Sequence, residues 1–473
     1  MGSTARPKPP AWRMRPRDQR TLLIIGDLLV SYVALVIALV VWSVRDPWLD
    51  FSPEFFRLRV EFWYYFLPLL WLVLLVQLYD PHRAAHWGTT LRGVTLAAAI
   101  GMMGYAIIYF LFEGAIARIG VGVFLLASFI LTLFWRLLYI GIFSAPAFMR
   151  RILIIGAGKA GQTLAQAYKS IYPPPFHLVG FVDDDPQKAG TSLEGYPVLG
   201  NSDQLLAIVE NESVSDLVVA IVGEMRGSTF QTILDAQERG LEVVPMPTLY
   251  EELLGRVPVH HLESEWLLRS FVDQARVGGF YELGKRLLDI LLALIGLVML
   301  AVIFPLVSLL ILIDSGLPII YKQIRLGKGG KPFYVYKFRT MRQDAEKDGK
   351  PRLTQEKDNR ITRVGNFLRR THLDEFPQFW NVLRGEMSVV GPRSERPEWV
   401  AEFQKQIPFY RARLLVKPGV TGWAQVNYGY YATVEEMAVK LEYDLYYIKH
   451  RNLWMDIFII LRTVGQVLGL RGR

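Results

Sequence analysis

The sequence predicts a mixed membrane protein with three parts: a four-helix transmembrane bundle, a Rossmann-like α/β module, and a mainly helical C-terminal domain with a re-entrant membrane helix. Three observations support this prediction. Apolar stretches recur in the first third of the chain, strand-like and helical patterns alternate after residue 150, and a further apolar run with basic flanks follows near residue 284. Together they divide the chain into a membrane-embedded start, a soluble middle and a membrane-attached end.

The composition of the 473-residue chain also indicates a membrane component and separate modules. Hydrophobic residues make up 52% of the chain, which is high for a soluble protein. The net charge of +9 is uneven, since residues 151–279 hold 9 Lys and Arg against 17 Asp and Glu, whereas residues 280–473 hold 30 against 19. A basic C-terminal third suits anionic lipid, phosphorylated substrates or nucleic acid, or is a solvated surface. The absence of cysteine excludes disulfides and thiol chemistry.

Four apolar stretches predict four transmembrane helices within residues 21–145. Each has about the twenty residues needed to cross a bilayer, and they lie near 21–44, 62–79, 94–112 and 120–143. A basic tail at 1–20 and the pair Arg150–Arg151 both favour the cytoplasmic side, which an even number of spans allows. A buried soluble bundle is the alternative.

Residues 150–248 alternate between strand-like and helical patterns, which predicts a parallel sheet with helices on both faces. Within this module, Gly156, Gly158 and Gly161 follow the pattern G-x-G-x-x-G between a strand and a helix, and Asp183 lies 22 residues further on. Such glycines let backbone amides approach a diphosphate, and such an acid binds a ribose. The four residues are therefore candidate nucleotide ligands, with a tight turn that binds nothing as the alternative.

The apolar run 284–313 predicts a helix that enters and leaves the membrane on the same side. Lys285 and Arg286 lie at its start, and six Lys or Arg residues lie between 322 and 339. Positive flanks favour the cytoplasmic face at both ends. Pro305 lies inside the run and is expected to break it into a helical hairpin. A straight fifth span is the alternative.

Four motifs follow in order along the rest of the chain: YKFRTM (336–341), THLDEFPQFWNVLRGEMSVVGPR (371–393), KPGVTGWAQVN (417–427) and YDLYYIKHRNLWMDI (443–457). In the second motif, Asp374 and Glu375 are adjacent carboxylates in an apolar setting that contains a proline, which is unusual for a surface pair. One carboxylate can attack phosphorus, and a second can bind a hard divalent cation.

These motifs resemble those of the bacterial sugar transferase family, the monotopic polyprenyl-phosphate phosphoglycosyl transferases. The apolar stretches and the α/β module, which resembles CoA-binding domains, match the large members that begin exopolysaccharide or O-antigen assembly. The resemblance implies that the chain transfers a hexose-1-phosphate from a UDP-sugar to undecaprenyl phosphate and releases UMP. It also implies a multi-pass protein of the bacterial inner membrane whose catalytic domain, residues 280–473, lies on the cytoplasmic face.

By the same resemblance, Asp374 is the nucleophile that forms a covalent aspartyl phosphosugar intermediate, and Glu375 is a second catalytic residue and a ligand of Mg²⁺. Arg393, Arg339 and Lys337 are expected to bind substrate phosphates. An ordinary surface charge or salt bridge is the alternative for each basic residue. The chain departs from the family pattern near Tyr428–Tyr431, so the sugar and the role of that region stay open.

Two other functions fit parts of the sequence. A membrane-bound nucleotide-sugar dehydratase would use the Gly156 loop together with Tyr281 and Lys285, which have Tyr-x-x-x-Lys spacing. It would bind NAD tightly and stay active after Asp374→Asn. A membrane scaffold or sensor built on the α/β module would tolerate loss of both carboxylates.

The remaining expectations concern partners and connecting segments. The resemblance implies a UDP-sugar, undecaprenyl phosphate and membrane lipids as partners, and no nucleic acid. A homodimer and a nucleotide in the α/β module are further expectations. Residues 249–279 are predicted to be a linker, and residues 451–473 an interfacial helix on the membrane, with core packing as its alternative.

Overall fold

The computed structural model describes residues 16–46, 48–79, 84, 86–111, 118–143, 149–172, 174–262, 279–343, 358–429 and 433–468. They form two compact units, Met1–Leu249 and Tyr250–Arg473. Most of the basic tail, the end of the predicted linker, and Tyr430 and Tyr431 lie outside the described residues.

The first unit begins with helices rich in apolar residues. The main helices are α1 (Pro16–Val44), α2 (Pro53–Leu58), α3 (Leu67–Leu74), α4 (Trp87–Leu111) and α5 (Arg118–Phe143). Across the described residues of the whole chain, three helices are long and apolar enough to cross a membrane: Asp18–Val44, Ile119–Ile142 and Gly279–Ser315. Two of the four spans predicted before residue 145 therefore meet this criterion.

The second predicted span, near 62–79, is not one helix. It consists of the 3-10 helix Phe62–Phe66, helix α3, and the 3-10 helix Val76–Tyr79. Pro68 lies in the first turn of α3, where the missing amide of a proline is tolerated and a new helical segment can begin. The apolar part, Phe62–Leu74, would be about 20 Å long as a helix, which is shorter than the hydrocarbon core of a bilayer. A four-helix bundle is thus not confirmed.

A buried ion pair joins helices α1 and α5. Arg136 of α5 donates from Nη2 to Asp27 of α1 at 2.6 Å, and both side chains are fully buried. The same guanidinium donates from Nη1 to the Leu78 carbonyl at 3.1 Å, so it also holds the broken second stretch. Charges inside a membrane protein are tolerated when they pair with each other and with backbone carbonyls.

The α/β module confirms the predicted strand–helix alternation. Its sheet has the order β3-β4-β2-β1-β5-β6, in which only the β3–β4 pair is antiparallel. The strands are β1 (Arg151–Ile155), β2 (His177–Val182), β3 (Ser192–Leu193), β4 (Tyr196–Gly200), β5 (Asp216–Val219) and β6 (Glu242–Pro245). The helices are α6 (Lys159–Lys169), α7 (Leu205–Asn211), α8 (Gly227–Glu238) and α9 (Met246–Leu254).

The first part of the predicted linker is ordered and packed. Residues 250–254 complete α9, and a 3-10 helix covers Val259–His261. Glu251 accepts from Lys449 at 2.8 Å, and the Gly255 carbonyl accepts from Trp423 at 2.7 Å. These polar contacts make residues 250–262 part of the second unit.

The second unit is mainly helical, as predicted. Its helices are α10 (Gly279–Ser315), α11 (Arg363–Arg370), α12 (Gln378–Arg384), α13 (Pro397–Gln406), α14 (Trp423–Asn427), α15 (Val434–His450) and α16 (Leu453–Leu468). An antiparallel hairpin joins β7 (Ile320–Leu326) to β8 (Pro332–Phe338), and β9 (Ser388–Val390) pairs in parallel with β10 (Gly419–Thr421). The unit's main core lies among α12, α13, α15 and the strand β9.

Helix α10 contradicts the predicted break at Pro305. The helix runs without interruption from Gly279 to Ser315, with the proline inside it. A proline removes one backbone hydrogen bond and bends a helix, but the apolar residues on both sides favour its continuation. The re-entrant path concerns how this helix lies in a membrane, and it stays a prediction.

The C-terminal helix α16 packs on the second unit along one face. Asp456 and Ile459 are fully buried, and Thr463 shares a hydrogen bond of 2.7 Å with Thr421. Trp454 and Val464 are at least half exposed. Core packing, the alternative weighed above, therefore describes the inner face, and the exposed apolar face leaves the interfacial role as a prediction.

Candidate functional site

The predicted carboxylate pair lies on a 3-10 turn, Leu373–Glu375, between α11 and α12. His372, just before the turn, has a φ of 55°, a left-handed conformation that few residues other than glycine adopt. The sharp change of direction ends α11 and points the next side chains inward. Asp374 and Glu375 are each only 9% exposed. Two carboxylates buried side by side require nearby cations or protonation.

Two of the three predicted phosphate ligands meet at Glu375. Lys337 of β8 donates from Nζ to the Oε1 atom of Glu375 at 2.6 Å. The Nη2 atom of Arg393 lies 3.0 Å from the same oxygen. The structure therefore brings together residues from both ends of the second motif and from the first motif, and both cations face the carboxylate pair.

The backbone around Arg393 explains two glycines of the motifs. Gly391 donates to the Thr421 carbonyl at 2.9 Å, and Gly419 donates to the Pro392 carbonyl at 2.9 Å. The two chains approach so closely that a side chain on Gly391 would collide with the backbone at Lys417 and Gly419. The GPR and KPG motifs thus form one tight backbone junction, which fixes the position of Arg393.

Burial and the surrounding charges separate the pKa values of the two carboxylates. Burial and the charge of Glu375 raise the pKa of Asp374 to about 6, against the opposing charges of Lys337, Arg393 and Arg369. Burial also acts to raise the pKa of Glu375, but Arg393 and Lys337 outweigh it and hold that pKa well below its ordinary range. Two carboxylates whose pKa values are pushed apart are typical of a site that gives them different roles.

Arg339, the third predicted phosphate ligand, has other partners. It is 6% exposed, and its Nη2 donates to the Ser315 carbonyl at 2.7 Å, to the Ser315 hydroxyl at 3.0 Å and to the Gly316 carbonyl. The carbonyls at the end of a helix have no partner within it and attract positive charge. In this structure Arg339 therefore caps the C-terminus of α10.

A cleft adjoins the cations of the site. The cleft is small, and its lining is mostly polar or charged: Arg325, Val335, Lys337, Gln378, Arg393, Ser394 and Gly419. Its three basic residues favour an anionic occupant such as a phosphate.

The residues present fit a magnesium ion that is shared with a substrate. The described residues contain no cluster of three or more acidic or histidine side chains able to hold a metal by themselves. Mg²⁺, however, is usually held by one or two carboxylates together with substrate phosphates. The adjacent carboxylates meet that need, although one oxygen of Glu375 already accepts from Lys337 and Arg393.

The predicted nucleotide loop of the α/β module has the expected shape. Gly156 has a φ of +104°, Gly158 precedes α6, and a side chain on Gly161 would collide with the Gly156 carbonyl. Asp183, however, accepts from the Ala157 amide at 2.7 Å and pairs with Lys188 at 3.2 Å. The acid expected to bind a ribose is thus engaged by the loop itself.

Comparison with known proteins identifies the family of this chain. A family model described as bacterial sugar transferase matches residues 280–470, and one described as CoA-binding domain matches residues 75–226. The UDP-glucose:undecaprenyl-phosphate glucose-1-phosphate transferase of Escherichia coli (strain K12) is 34% identical over 326 residues, which are 67% of each chain. The protein of the same name from Klebsiella pneumoniae is 42% identical over 318 residues, again 67% of each. The chain belongs to the bacterial sugar transferase family.

A third relative carries a different sugar in its name. The UDP-N-acetylgalactosamine-undecaprenyl-phosphate N-acetylgalactosaminephosphotransferase of Aeromonas hydrophila is 39% identical over 228 residues. The match covers 48% of this chain and about half, 52%, of that relative. The predicted family is thus confirmed.

Sequence reasoning missed two residues beside the carboxylate pair. Arg369, at the end of α11, contributes positive charge at both carboxylates, and burial lowers its pKa while Asp374 opposes the change. His372 sets the turn, and burial lowers its pKa as well. The only sequence signal for Arg369 was its place five residues before Asp374, in a stretch that already contained other basic residues.

A buried ion network supports the loop that carries Arg393, and it too was missed. Arg413 donates to the Arg393 carbonyl at 2.9 Å and to Asp444 at 2.8 Å. Glu395 pairs with Lys440 at 2.6 Å and with Arg413 at 3.4 Å. These residues come from distant segments of the chain, and three of them lie outside the four motifs, so only the folded structure shows that they form one network.

The dehydratase residues are engaged elsewhere. Lys285 donates to Asp456 at 3.0 Å and to the Val390 carbonyl at 3.0 Å, and Tyr281 donates to Asp456 at 3.1 Å. They connect α10 to the core of the sugar transferase domain, so their spacing has a structural explanation.

Tyr428 stacks on Tyr443, with ring centroids 6.0 Å apart.

Proposed function

We propose that the chain transfers a hexose-1-phosphate from a UDP-sugar to a polyprenyl phosphate, of which undecaprenyl phosphate is the bacterial example, and releases UMP. The observation that carries this proposal is the pair of buried carboxylates with separated pKa values, which faces Lys337 and Arg393 beside a basic cleft. The names of the relatives support the class of reaction. The product would begin the assembly of an exopolysaccharide or O-antigen.

The reaction proceeds in two displacements at one phosphorus. A carboxylate oxygen of Asp374 attacks the β-phosphorus, the bond to the bridging oxygen breaks, and UMP leaves with the electron pair. An oxygen of the polyprenyl phosphate then attacks the same phosphorus, and the bond to Asp374 breaks. The aspartate is regenerated, and the product is a polyprenyl diphosphate sugar.

The neighbouring residues hold charge in place during both displacements. Lys337 and Arg393 fix Glu375 and offer positive charge to the phosphate oxygens, and Arg369 lies in the same field. Glu375, with substrate phosphates, would hold Mg²⁺, which would neutralise the diphosphate and the leaving UMP. Because the pKa of Asp374 is raised to about 6, the nucleophile is ionised and only weakly stabilised at neutral pH.

Helix α10 is proposed to enter and leave the membrane on the cytoplasmic side. Near its start, Arg286 donates to the carbonyls of Val382 and Leu383, both at 2.8 Å. At its end, Asp314 accepts from the Val364 amide at 2.9 Å. A straight helix of 37 residues would be about 55 Å long, yet one polar domain contacts both of its ends. A re-entrant path keeps both ends on the side where nucleotide sugars occur.

The topology can be tested with single cysteines, since the natural chain has none. Phe280→Cys lies in the first turn of α10, and Lys322→Cys lies beyond its C-terminal end. In sealed inner-membrane vesicles, an impermeant thiol reagent should label both sites from the cytoplasmic face. Labelling of the two sites from opposite faces would rule out the re-entrant path.

The activity is tested by identifying the released nucleotide. The purified chain is incubated with Mg²⁺, polyprenyl phosphate and a panel of UDP-sugars, since the relatives' names differ in their sugar. We expect UMP to appear in step with a lipid diphosphate sugar. Release of UDP would mean that the sugar is transferred without its phosphate, and would overturn the mechanism. Asp374→Asn is the matched control.

A further inference from the structure

Two buried amide side chains on helix α12 differ in how their hydrogen bonds are satisfied. Asn381 is fully buried and is bonded on both ends: its Nδ2 donates to the Tyr334 carbonyl and to Glu386, both at 2.7 Å, and its Oδ1 accepts from the Tyr336 amide at 3.2 Å. Gln378, three residues earlier, is 3% exposed, and its Nε2 has no partner among the described residues. The first amide holds the chain together, and the second has an unused donor.

An unused buried donor is costly for the protein. A polar group removed from water without a hydrogen bond destabilises the fold, and nearly all such groups in native proteins have a partner in the chain, in water or in a ligand. The Nε2 donor of Gln378 is therefore available to a group that enters the cleft.

The position of Gln378 indicates what that partner is. The side chain lines the cleft that also contains Lys337, Arg393 and Arg325. It lies four residues after Asp374 and follows Pro377, directly beyond the turn that carries the carboxylates. A donor in a cleft lined by cations favours an acceptor that is rich in oxygen and negatively charged, namely a phosphate.

We propose that Gln378 contacts the substrate directly and donates from Nε2 to an oxygen of the β-phosphoryl group of the nucleotide sugar, the group that Asp374 attacks. This inference rests on the proposed function. The amide adds a directed hydrogen bond beside the two cations, so it orients the phosphoryl group without further lowering its charge. A contact with the sugar ring is the competing assignment, and the experiment below separates the two.

The first measurement compares ligand-induced thermal shifts and needs no turnover. UDP carries the β-phosphate and UMP does not, so the difference between their stabilising effects in the presence of Mg²⁺ isolates that group. We expect Gln378→Met to lose most of this difference and to unfold, without ligand, at the same or a higher temperature than the wild type. Asn381→Leu is the matched control, and it should unfold at a lower temperature but keep the difference between UDP and UMP.

The second measurement is kcat/KM for two UDP-sugars that the wild type turns over. Loss of a hydrogen bond to a charged group should lower kcat/KM by about 10- to 100-fold, and by the same factor for both sugars. Gln378→Glu, which keeps the shape and places a carboxylate beside the phosphate, should lose more. This variant also replaces Gln378→Met in both measurements if the latter does not fold.

The outcomes are distinguishable. An unchanged difference between UDP and UMP in the Gln378 variants, or a loss that depends on the sugar, would overturn the inference and leave the proposed function standing. A wild type that releases no UMP from any UDP-sugar would overturn the proposed function itself.

Discussion

The glycine loop of the α/β module and the carboxylate turn of the C-terminal unit both follow recognisable sequence patterns, but their charges are arranged differently. Beside the glycine loop, Asp183 follows strand β2. It accepts from the amides of Ala157 and Asp185 and pairs with Lys188. At the turn, Glu375 forms ion pairs with both Lys337 and Arg393, whereas Asp374 is buried and its pKa is raised.

The difference shows how a motif should be evaluated once it is folded. A carboxylate whose hydrogen bonds are supplied by its own loop contributes to local structure. A carboxylate that is buried beside a second one, and is only partly compensated, retains free energy that a ligand or a reaction can use. The second arrangement is the stronger indication of chemistry.

The largest contrast is expected from the same substitution made in each region. Asp374→Asn should lower turnover by about 10³-fold or more, because it removes the proposed nucleophile. Asp183→Asn should leave kcat/KM within about twofold, because Asp183 only supports a loop. Steady-state UMP release in detergent or nanodiscs measures both. Equal losses in the two variants would remove the distinction between the regions.

The same aspartate should also affect stability in a defined direction. Its pKa in the folded protein, about 6, lies above the ordinary value of 3.8. The stability contributed by such a group is present below pH 3.8 and is lost as the pH rises through about 6. Asp374→Asn should therefore unfold at the same or a higher temperature than the wild type at pH 7.5. A marked fall in unfolding temperature would show that the ionised carboxylate stabilises the fold.

The next effect is expected at Glu375. Glu375→Gln should lower kcat by about 10²-fold, because it removes the anchor for Lys337 and Arg393 and the proposed magnesium ligand. Raising the Mg²⁺ concentration should recover part of the loss. A variant with wild-type magnesium dependence would show that Glu375 is not a metal ligand.

A smaller effect should appear in the pH profile. Asp374 must be ionised to act as the proposed nucleophile, so kcat/KM should fall as the pH drops below about 6. Arg369 opposes the raised pKa of Asp374, so Arg369→Gln should move the acidic limb to higher pH. Arg370→Gln, one residue further on and exposed, is the matched control. If both variants have the acidic limb at the same pH, the pKa of Asp374 does not depend on the charge of Arg369.

The smallest catalytic effect is expected at Arg339. Its contacts with Ser315 and Gly316 cap α10, so Arg339→Lys should lower the unfolding temperature and leave KM for the UDP-sugar within about twofold. A tenfold rise in KM without a change in stability would restore the phosphate-binding role that the sequence suggested.

Much of the site could be predicted from the sequence because its chemistry is local. Asp374 and Glu375 are adjacent in the chain, and Lys337 and Arg393 lie in short motifs of recognisable composition. The alternation of strands and helices in the α/β module was equally clear, since hydrophobic periodicity depends on near neighbours.

The parts that could not be predicted depend on long-range contacts. Arg339 sits in a motif beside Lys337, but it points to the end of a helix that is more than twenty residues earlier in the sequence. The network of Arg413, Glu395 and Asp444 joins segments that no local pattern connects. A proline bends or breaks a helix according to its surroundings, and here helix α10 continues past Pro305.

The central claim is that Asp374 carries the phosphosugar covalently, and it can be tested without the lipid acceptor. The chain is incubated with Mg²⁺ and a UDP-sugar labelled with ³²P in the β-phosphate, and the denatured protein is then examined for bound label. We predict label on the peptide that contains Asp374, an equal amount of released UMP, loss of the label when polyprenyl phosphate is added, and no label on Asp374→Asn. Release of UMP and formation of the lipid product by a wild-type chain that never acquires label, or label on Asp374→Asn, would contradict the account.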